Sequence, residues 1–135
     1  MMKDSLPTIV VADPDPTYQQ QISALLHTSF RCITASTLRE AYQTILRERP
    51  ELLTLELDQP DGDGLTLIQH LQADPVLSHI LVACVTKRAS VSDKVHAFRA
   101  GADDYIVKPP SSTSFEGQML LLRRAGHMAR TFARR

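Results

Sequence analysis

Ile80-Leu81-Val82-Ala83-Cys84-Val85 is an unbroken apolar run, bounded by His79 and Thr86. A half-buried strand alternates apolar and polar side chains, so such a run is expected where a sheet is covered on both faces. It is also far too short to span a membrane, which takes about 20 apolar residues. Outward from it the same pattern recurs. Toward the C-terminus, Val91, Val95 and Phe98 repeat at helical spacing as the expected buried stripe of a fourth helix. Gly101 ends that helix, and Tyr105-Ile106-Val107 makes a fifth strand running into Lys108-Pro109-Pro110.

Toward the N-terminus, Leu65, Ile68 and Leu71 mark a helix that stops before Pro75, preceded by the turn-rich loop from Asp58 to Gly64. Leu52 to Leu55 is the third strand. Leu38, Ala41, Tyr42 and Ile45 mark the second helix, with Ser36 or Thr37 as cap. Phe30 to Thr34 is the second strand, and Tyr18, Ile22, Leu25 and Leu26 the stripe of the first helix. Thr8 to Ala12 is the first strand, closed by Asp13-Pro14-Asp15-Pro16. Strict alternation of five strands with helices implies an α/β fold, a doubly wound parallel sheet with right-handed crossovers. No repeat or linker divides the chain.

The 135 residues suffice for one domain without a metal or disulfide staple. Cys32 and Cys84 lack CxxC or Cys/His companions, so neither a disulfide scaffold nor a structural zinc site is expected, and a reducing cytoplasm fits. Met1-Met2-Lys3-Asp4-Ser5 lacks the apolar core of a signal peptide. Net charge is zero, which argues against nucleic-acid binding by overall charge. The balance is uneven along the chain, however: residues 1–63 are acidic and 64–135 basic, with five arginines and no acid after Glu116. A local anionic partner for the basic end therefore stays open.

In open α/β sheets the ligand site lies beyond the carboxyl ends of the strands. Asp13, Glu56, Thr86 and Lys108 end the first, third, fourth and fifth strands. Two acids, a hydroxyl and an amine on one sheet edge make a phosphate-and-metal constellation.

With these residues in place, the chain resembles the receiver domain of bacterial two-component response regulators over about residues 6–125. The resemblance is carried by Ala100-Gly101-Ala102-Asp103-Asp104-Tyr105-Ile106-Val107-Lys108-Pro109, by Pro50-Glu51-Leu52-Leu53-Thr54-Leu55, and by Pro60-Asp61-Gly62-Asp63-Gly64. It implies a flavodoxin-like, five-stranded sheet of order 2-1-3-4-5. It also implies a family chemistry in which a histidine kinase phosphorylates an aspartate at the end of the third strand, assisted by Mg²⁺. Counting without gaps from Pro50 and from Gly64, Glu56 stands at the phosphoacceptor position. Asp13 matches the first member of the acidic pair after the first strand, and Pro14 occupies the second, normally a metal ligand. Thr86 and Lys108 match the hydroxyl and the lysine that meet the phosphoryl group, and Tyr105 matches the aromatic switch.

The departures point to an atypical receiver. Proline offers no oxygen to a metal, and Glu56 carries its carboxylate one methylene too far for in-line transfer. Lys87 stands where a small residue is usual and is expected to crowd the site or add a second positive charge. Two readings of Glu56 remain: a standing ion pair with Lys108 that imitates part of the phosphorylated state, or a tolerated remnant. Asp58 completes the expected acidic pocket. The acids Glu56, Asp58, Asp61 and Asp63 read as a solvated loop rather than a metal site, and the histidines (His27, His70, His79, His96, His127) as surface or capping residues.

Competing readings follow from the same residues. A phosphorylatable receiver would use Glu56 or, with a two-residue slip, Asp58. Asp13-Pro14-Asp15-Pro16-Thr17 also fits the DxDxT motif of haloacid-dehalogenase-type phosphatases, with Thr86, Lys94 and Asp103-Asp104 in that family's order, although those acids precede their strand here. A flavin site is disfavoured because Pro14 and Pro16 remove backbone donors after the first strand.

The last helix is expected from Phe115, with Phe115, Met119 and Leu122 on the sheet and Leu121, Ala125, Met128 and Phe132 as a second, heptad-like stripe. This divides the chain into a receiver-like domain, 1–122, and a helical extension, 123–135, for dimerisation or as a linker to an output domain. The sequence thus leads to a cytoplasmic, non-enzymatic protein-interaction module without cofactor, metal or membrane contact. Its partners are other signalling proteins or an output domain, and its dimer face is built by the fourth helix, fifth strand and fifth helix.

Overall fold

The computed structural model of the chain describes residues 6–108, so the expected helix from Phe115, its second stripe and the 122/123 boundary lie outside the described residues. Within them the order is β1 (Thr8–Ala12), α1 (Pro16–Leu26), β2 (Arg31–Ala35), α2 (Leu38–Glu48), β3 (Leu52–Leu55), β4 (Asp58–Gln59), β5 (Gly62–Asp63), α3 (Gly64–Ala73), β6 (Leu81–Thr86), α4 (Val91–Ala100) and β7 (Asp104–Val107). The main sheet is parallel, in the order β2-β1-β3-β6-β7, which is the expected 2-1-3-4-5 arrangement once the small β4–β5 hairpin is set aside.

The strands alternate between two apolar cores. Ile9 and Val11 of β1 face Tyr18, Ile22 and Leu26 of α1 in one core, with Val85 and Ile106. Val10 and Ala12 face the other, which collects Leu38, Ala41 and Ile45 of α2, Leu67, Ile68 and Leu71 of α3, and Ala97 of α4. Both faces are covered, so the continuous apolar runs are explained by burial on each side.

Local signals set the boundaries. Asp15 caps α1 and Pro16 begins it, Thr37 caps α2 through the Glu40 amide, and Arg49 ends α2 in the left-handed region (φ 48°). β2 and β6 each begin one residue later than expected, because the Phe30 and Ile80 amides are taken by the preceding turns, donating to Leu26 O (2.8 Å) and Leu77 O (3.1 Å).

Two expectations are corrected. The loop after β3 is not irregular throughout: Asp58 and Gln59 pair antiparallel with Asp63 and Gly62. More consequentially, Val91, Val95 and Phe98 do not face the core. They are 76%, 38% and 48% exposed, and Ala97 is the residue of α4 that is buried. A small side chain lets the helix lie close to its neighbours, and the larger apolar residues are turned outward.

Candidate functional site

At the carboxyl edge the strand ends converge. The ladders run one residue past β1, β3 and β7, since Asp13 N–H donates to Ala35 O (3.0 Å), Glu56 N–H to Ala12 O (2.9 Å) and Lys108 N–H to Thr86 O (2.7 Å). These bonds fix the three side chains relative to the sheet. Lys108 Nζ lies 2.7 Å from Asp13 Oδ2 and 2.9 Å from Glu56 Oε1. Its ammonium also stands 4.0 Å above the centre of the Tyr18 ring, a cation–π arrangement. Asp13, Glu56, Thr86 and Lys108 are all buried.

Burial raises the carboxyl of Asp13 above its ordinary value, against the opposing hydrogen bonds from Lys108 and the Asp15 amide. For Lys108 burial pulls the ammonium down, but the bonds to Asp13 and Glu56 outweigh it and the group stays raised. The lysine is therefore charged, and two carboxylates share it.

The remaining carboxylate oxygens are also engaged. Asp13 Oδ1 accepts from the Asp15 amide (2.9 Å), and Glu56 Oε2 from the Asp58 amide (3.1 Å). Pro14, half-buried beside Asp13, offers no side-chain oxygen. Among the described residues no group of three or more His, Cys, Asp or Glu could hold a metal ion. With an ammonium between the two acids, the residues present do not fit a divalent cation, and the pocket's chemistry is that of a closed ion-pair network.

Around this network several expected residues take other places. Thr86 Oγ1 accepts from the Arg88 amide at 3.3 Å. Tyr105 is buried next to the pocket, and its hydroxyl donates to Arg88 O at 2.9 Å. Burial, then the charge of Asp93, pushes the Tyr105 phenol up to about 12, so it is a donor at neutral pH. Asp58 is not in the buried pocket but at its exposed mouth. Lys87 does not crowd the site, being exposed. The second positive charge comes instead from Arg88, which sequence reasoning missed. Arg88 Nη2 is 2.7 Å from Asp58 Oδ1, and Nη1 is 3.2 Å from Asp63 Oδ2. The signal was available: two basic residues follow the fourth strand, facing an acid-rich loop.

The other acids of that loop are structural. Asp61 accepts from the Leu38 and Arg39 amides at the start of α2, and Asp63 Oδ1 caps α3 through Leu65. His27 lies at the C-terminal cap of α1, with Nδ1 2.7 Å from Ala24 O, and His70 meets the Tyr42 ring edge-on. The acids required by the phosphatase reading are misplaced. Asp103 accepts from the Val82 amide at the opposite, amino edge of the sheet, and Asp15 is a helix cap. That reading is set aside.

Comparison with known proteins agrees with this geometry. The family profile described as "Response regulator receiver domain" matches residues 9–116. The chain is 32% identical over 125 residues to the transcriptional regulatory protein PrrA of Mycobacterium tuberculosis, covering 91% of this chain and 53% of that protein. It is 30% identical over 122 residues to the phosphate regulon transcriptional regulatory protein PhoB of Escherichia coli, covering 90% and 53%. The chain thus spans about half the length of these curated relatives. Among solved structures, the response regulator domain of Thermotoga maritima CheB superposes with a TM-score of 0.81 at 16% identity, covering 96% of this chain and 98% of that one. The phosphorylated cyanobacterial phytochrome response regulator RcpA gives 0.79 at 20% identity, covering 92% and 91%. At these identities the structures speak for the fold alone. Profile, curated relatives and sheet order agree: this chain belongs to the response regulator receiver domain family of two-component signalling.

Proposed function

We propose that this receiver acts as a phosphorylation-independent protein-interaction and dimerisation module, with Glu56 imitating the phosphorylated state through Lys108. The observation that carries the reading is the buried bond from Lys108 Nζ to Glu56 Oε1, at 2.9 Å, with Asp13 on the same ammonium. The side chain at the phosphoacceptor-equivalent position is already engaged by the residue that would meet a phosphoryl group. Tyr105, the switch equivalent, is held inward, which agrees with an active-like resting state. Thr86 is the remaining phosphate-pocket equivalent, and Pro14 the degenerate metal-ligand position.

The partners inferred are an output domain or other signalling proteins, and a second copy of the chain. The proposed dimer face includes α4 and β7, where Val91, Val95, Phe98 and Val107 are exposed. The last helix, its third expected component, is outside the described residues.

The test pairs two measurements. Incubation with acetyl phosphate and Mg²⁺ should leave the mass unchanged. Glu56→Gln, which keeps the shape and removes the charge, should turn Tyr105 outward and weaken self-association measured by light scattering. A stable gain of one phosphate would favour the phosphorylatable receiver instead. Unchanged association and an unchanged Tyr105 environment in Glu56→Gln would make Glu56 a tolerated remnant.

A further inference from the structure

Arg88 lies in the segment joining β6 to α4, and its two ends do different things. Its guanidinium reaches across the mouth of the pocket: Nε donates to Asp58 Oδ1 at 2.8 Å, Nη2 approaches the same oxygen at 2.7 Å, and Nη1 donates to Asp63 Oδ2 at 3.2 Å. Asp63 is itself immobilised, because its other oxygen caps α3 at the Leu65 amide. The clamp therefore fastens the β6–α4 segment to the rigid start of another helix. The backbone of Arg88 does the second task. Its N–H donates to Thr86 Oγ1 and its carbonyl accepts the Tyr105 hydroxyl.

We propose that Arg88 is an electrostatic latch: its grip on Asp58 and Asp63 positions its own carbonyl, and that carbonyl holds Tyr105 inward. Arg88 is a positioning residue, acting on Tyr105 through the main chain. A phenol that lost this acceptor while still buried would carry an unpaired hydroxyl, so release of the clamp favours the outward rotamer. The arginine side chain is 23% exposed and Asp58 61% exposed, so salt screens the clamp and it opens readily, as a switch requires. A negatively charged group delivered to Arg88, or a cation delivered to Asp58 and Asp63, would open it. The latch rests on the reading of Tyr105 as the switch, and the variants below leave the Glu56–Lys108 pair in place, so its failure is read separately from that of the Glu56 mimic.

The full chain would be labelled with 3-fluorotyrosine, its three tyrosines (Tyr18, Tyr42 and Tyr105) resolved by ¹⁹F NMR, and Tyr105 assigned by Tyr105→Phe. Solvent access is read from broadening by a soluble gadolinium chelate. In Arg88→Gln the Tyr105 broadening should rise about threefold or more, while Tyr18 and Tyr42 stay as in the parent. The Asp58→Asn/Asp63→Asn double variant should do the same, since asparagine still caps α3. Salt at about 1 M should move the parent toward Arg88→Gln and leave Arg88→Gln itself unmoved. Tyr105 broadening that stays at the parent level in both variants would overturn the latch. So would an equal rise at all three tyrosines, which is general loosening. If Arg88→Gln does not fold, the double variant alone decides.

Discussion

Asp61 and Leu38 are 23 residues apart in sequence, yet Asp61 Oδ1 accepts the Leu38 amide at 2.9 Å, and Oδ2 takes the Arg39 amide at 3.0 Å. A carboxylate from the β4–β5 turn thus caps the first turn of α2, where the helix dipole favours negative charge. The backbone bonds from Arg39 and then Leu38 hold the Asp61 carboxyl below its ordinary value of 3.8. A depressed carboxyl contributes stability above its unfolded value and loses it as pH falls through the folded one. Asp61→Ala should lower Tm by about 3 °C at neutral pH, and the deficit should shrink below about pH 3.8. Thermal melts of parent and variant at both pH values check this.

Lys108→Met should be the most damaging single change in the pocket. It leaves Asp13 and Glu56 buried without their shared cation, for which a loss of about 3–5 kcal/mol is expected. The Asp13 carboxyl, already raised by burial, loses the opposing bond and charge and rises further. A raised carboxyl binds its proton more readily in the folded state, so folding stability should recover as pH falls. Urea melts from about pH 7 down to about pH 5 should show the variant's deficit narrowing.

Thr54→Val should stabilise. Thr54 lies in β3 between Val11 and Ala83, is buried, and its hydroxyl finds no partner among the described residues. Replacing an unpaired buried hydroxyl with a methyl group of similar shape should gain about 1 kcal/mol, read as a higher urea midpoint at unchanged slope.

Gly64→Ala tests the turn that carries the site. A Cβ there would stand 2.9 Å from Leu57 Cα and 3.2 Å from Glu56 O, both main-chain atoms. The Gly64 amide also donates to Leu57 O at 2.8 Å. The backbone that presents Glu56 and Asp58 must shift, at a cost of about 2 kcal/mol in urea unfolding, and the Glu56–Lys108 bond should loosen with it.

Much of this architecture is legible from residue order alone, because burial on both faces leaves an apolar run that few other environments tolerate. The strand ends then follow, and with them Asp13, Glu56, Thr86 and Lys108 on one edge. Periodicity misled at α4. Val91, Val95 and Phe98 have helical spacing, but a stripe shows only that residues share a face, not that the face is inward; Ala97, a small residue with little hydrophobic weight, marks the buried side. The loop contacts were hidden for another reason. The basic pair Lys87-Arg88 and the cap residue Asp63 stand in the sequence as local signals, but that Arg88 meets Asp58 and Asp63, and Asp61 the start of α2, depends on loops that the sheet brings together.

The bond from Lys108 to Asp13 joins positions 95 residues apart, and that to Glu56 spans 52. The first needs β1, β3, β6 and β7 in register, and the second needs β3, β6 and β7. Contacts of such separation reward the chain only after loop closure is complete, and they belong to the late part of a folding trajectory. Deleting the lysine should accordingly leave the folding rate nearly unchanged and accelerate unfolding. The charged trio is thus a seal on the finished topology, acting on how slowly the domain opens rather than on how fast it assembles.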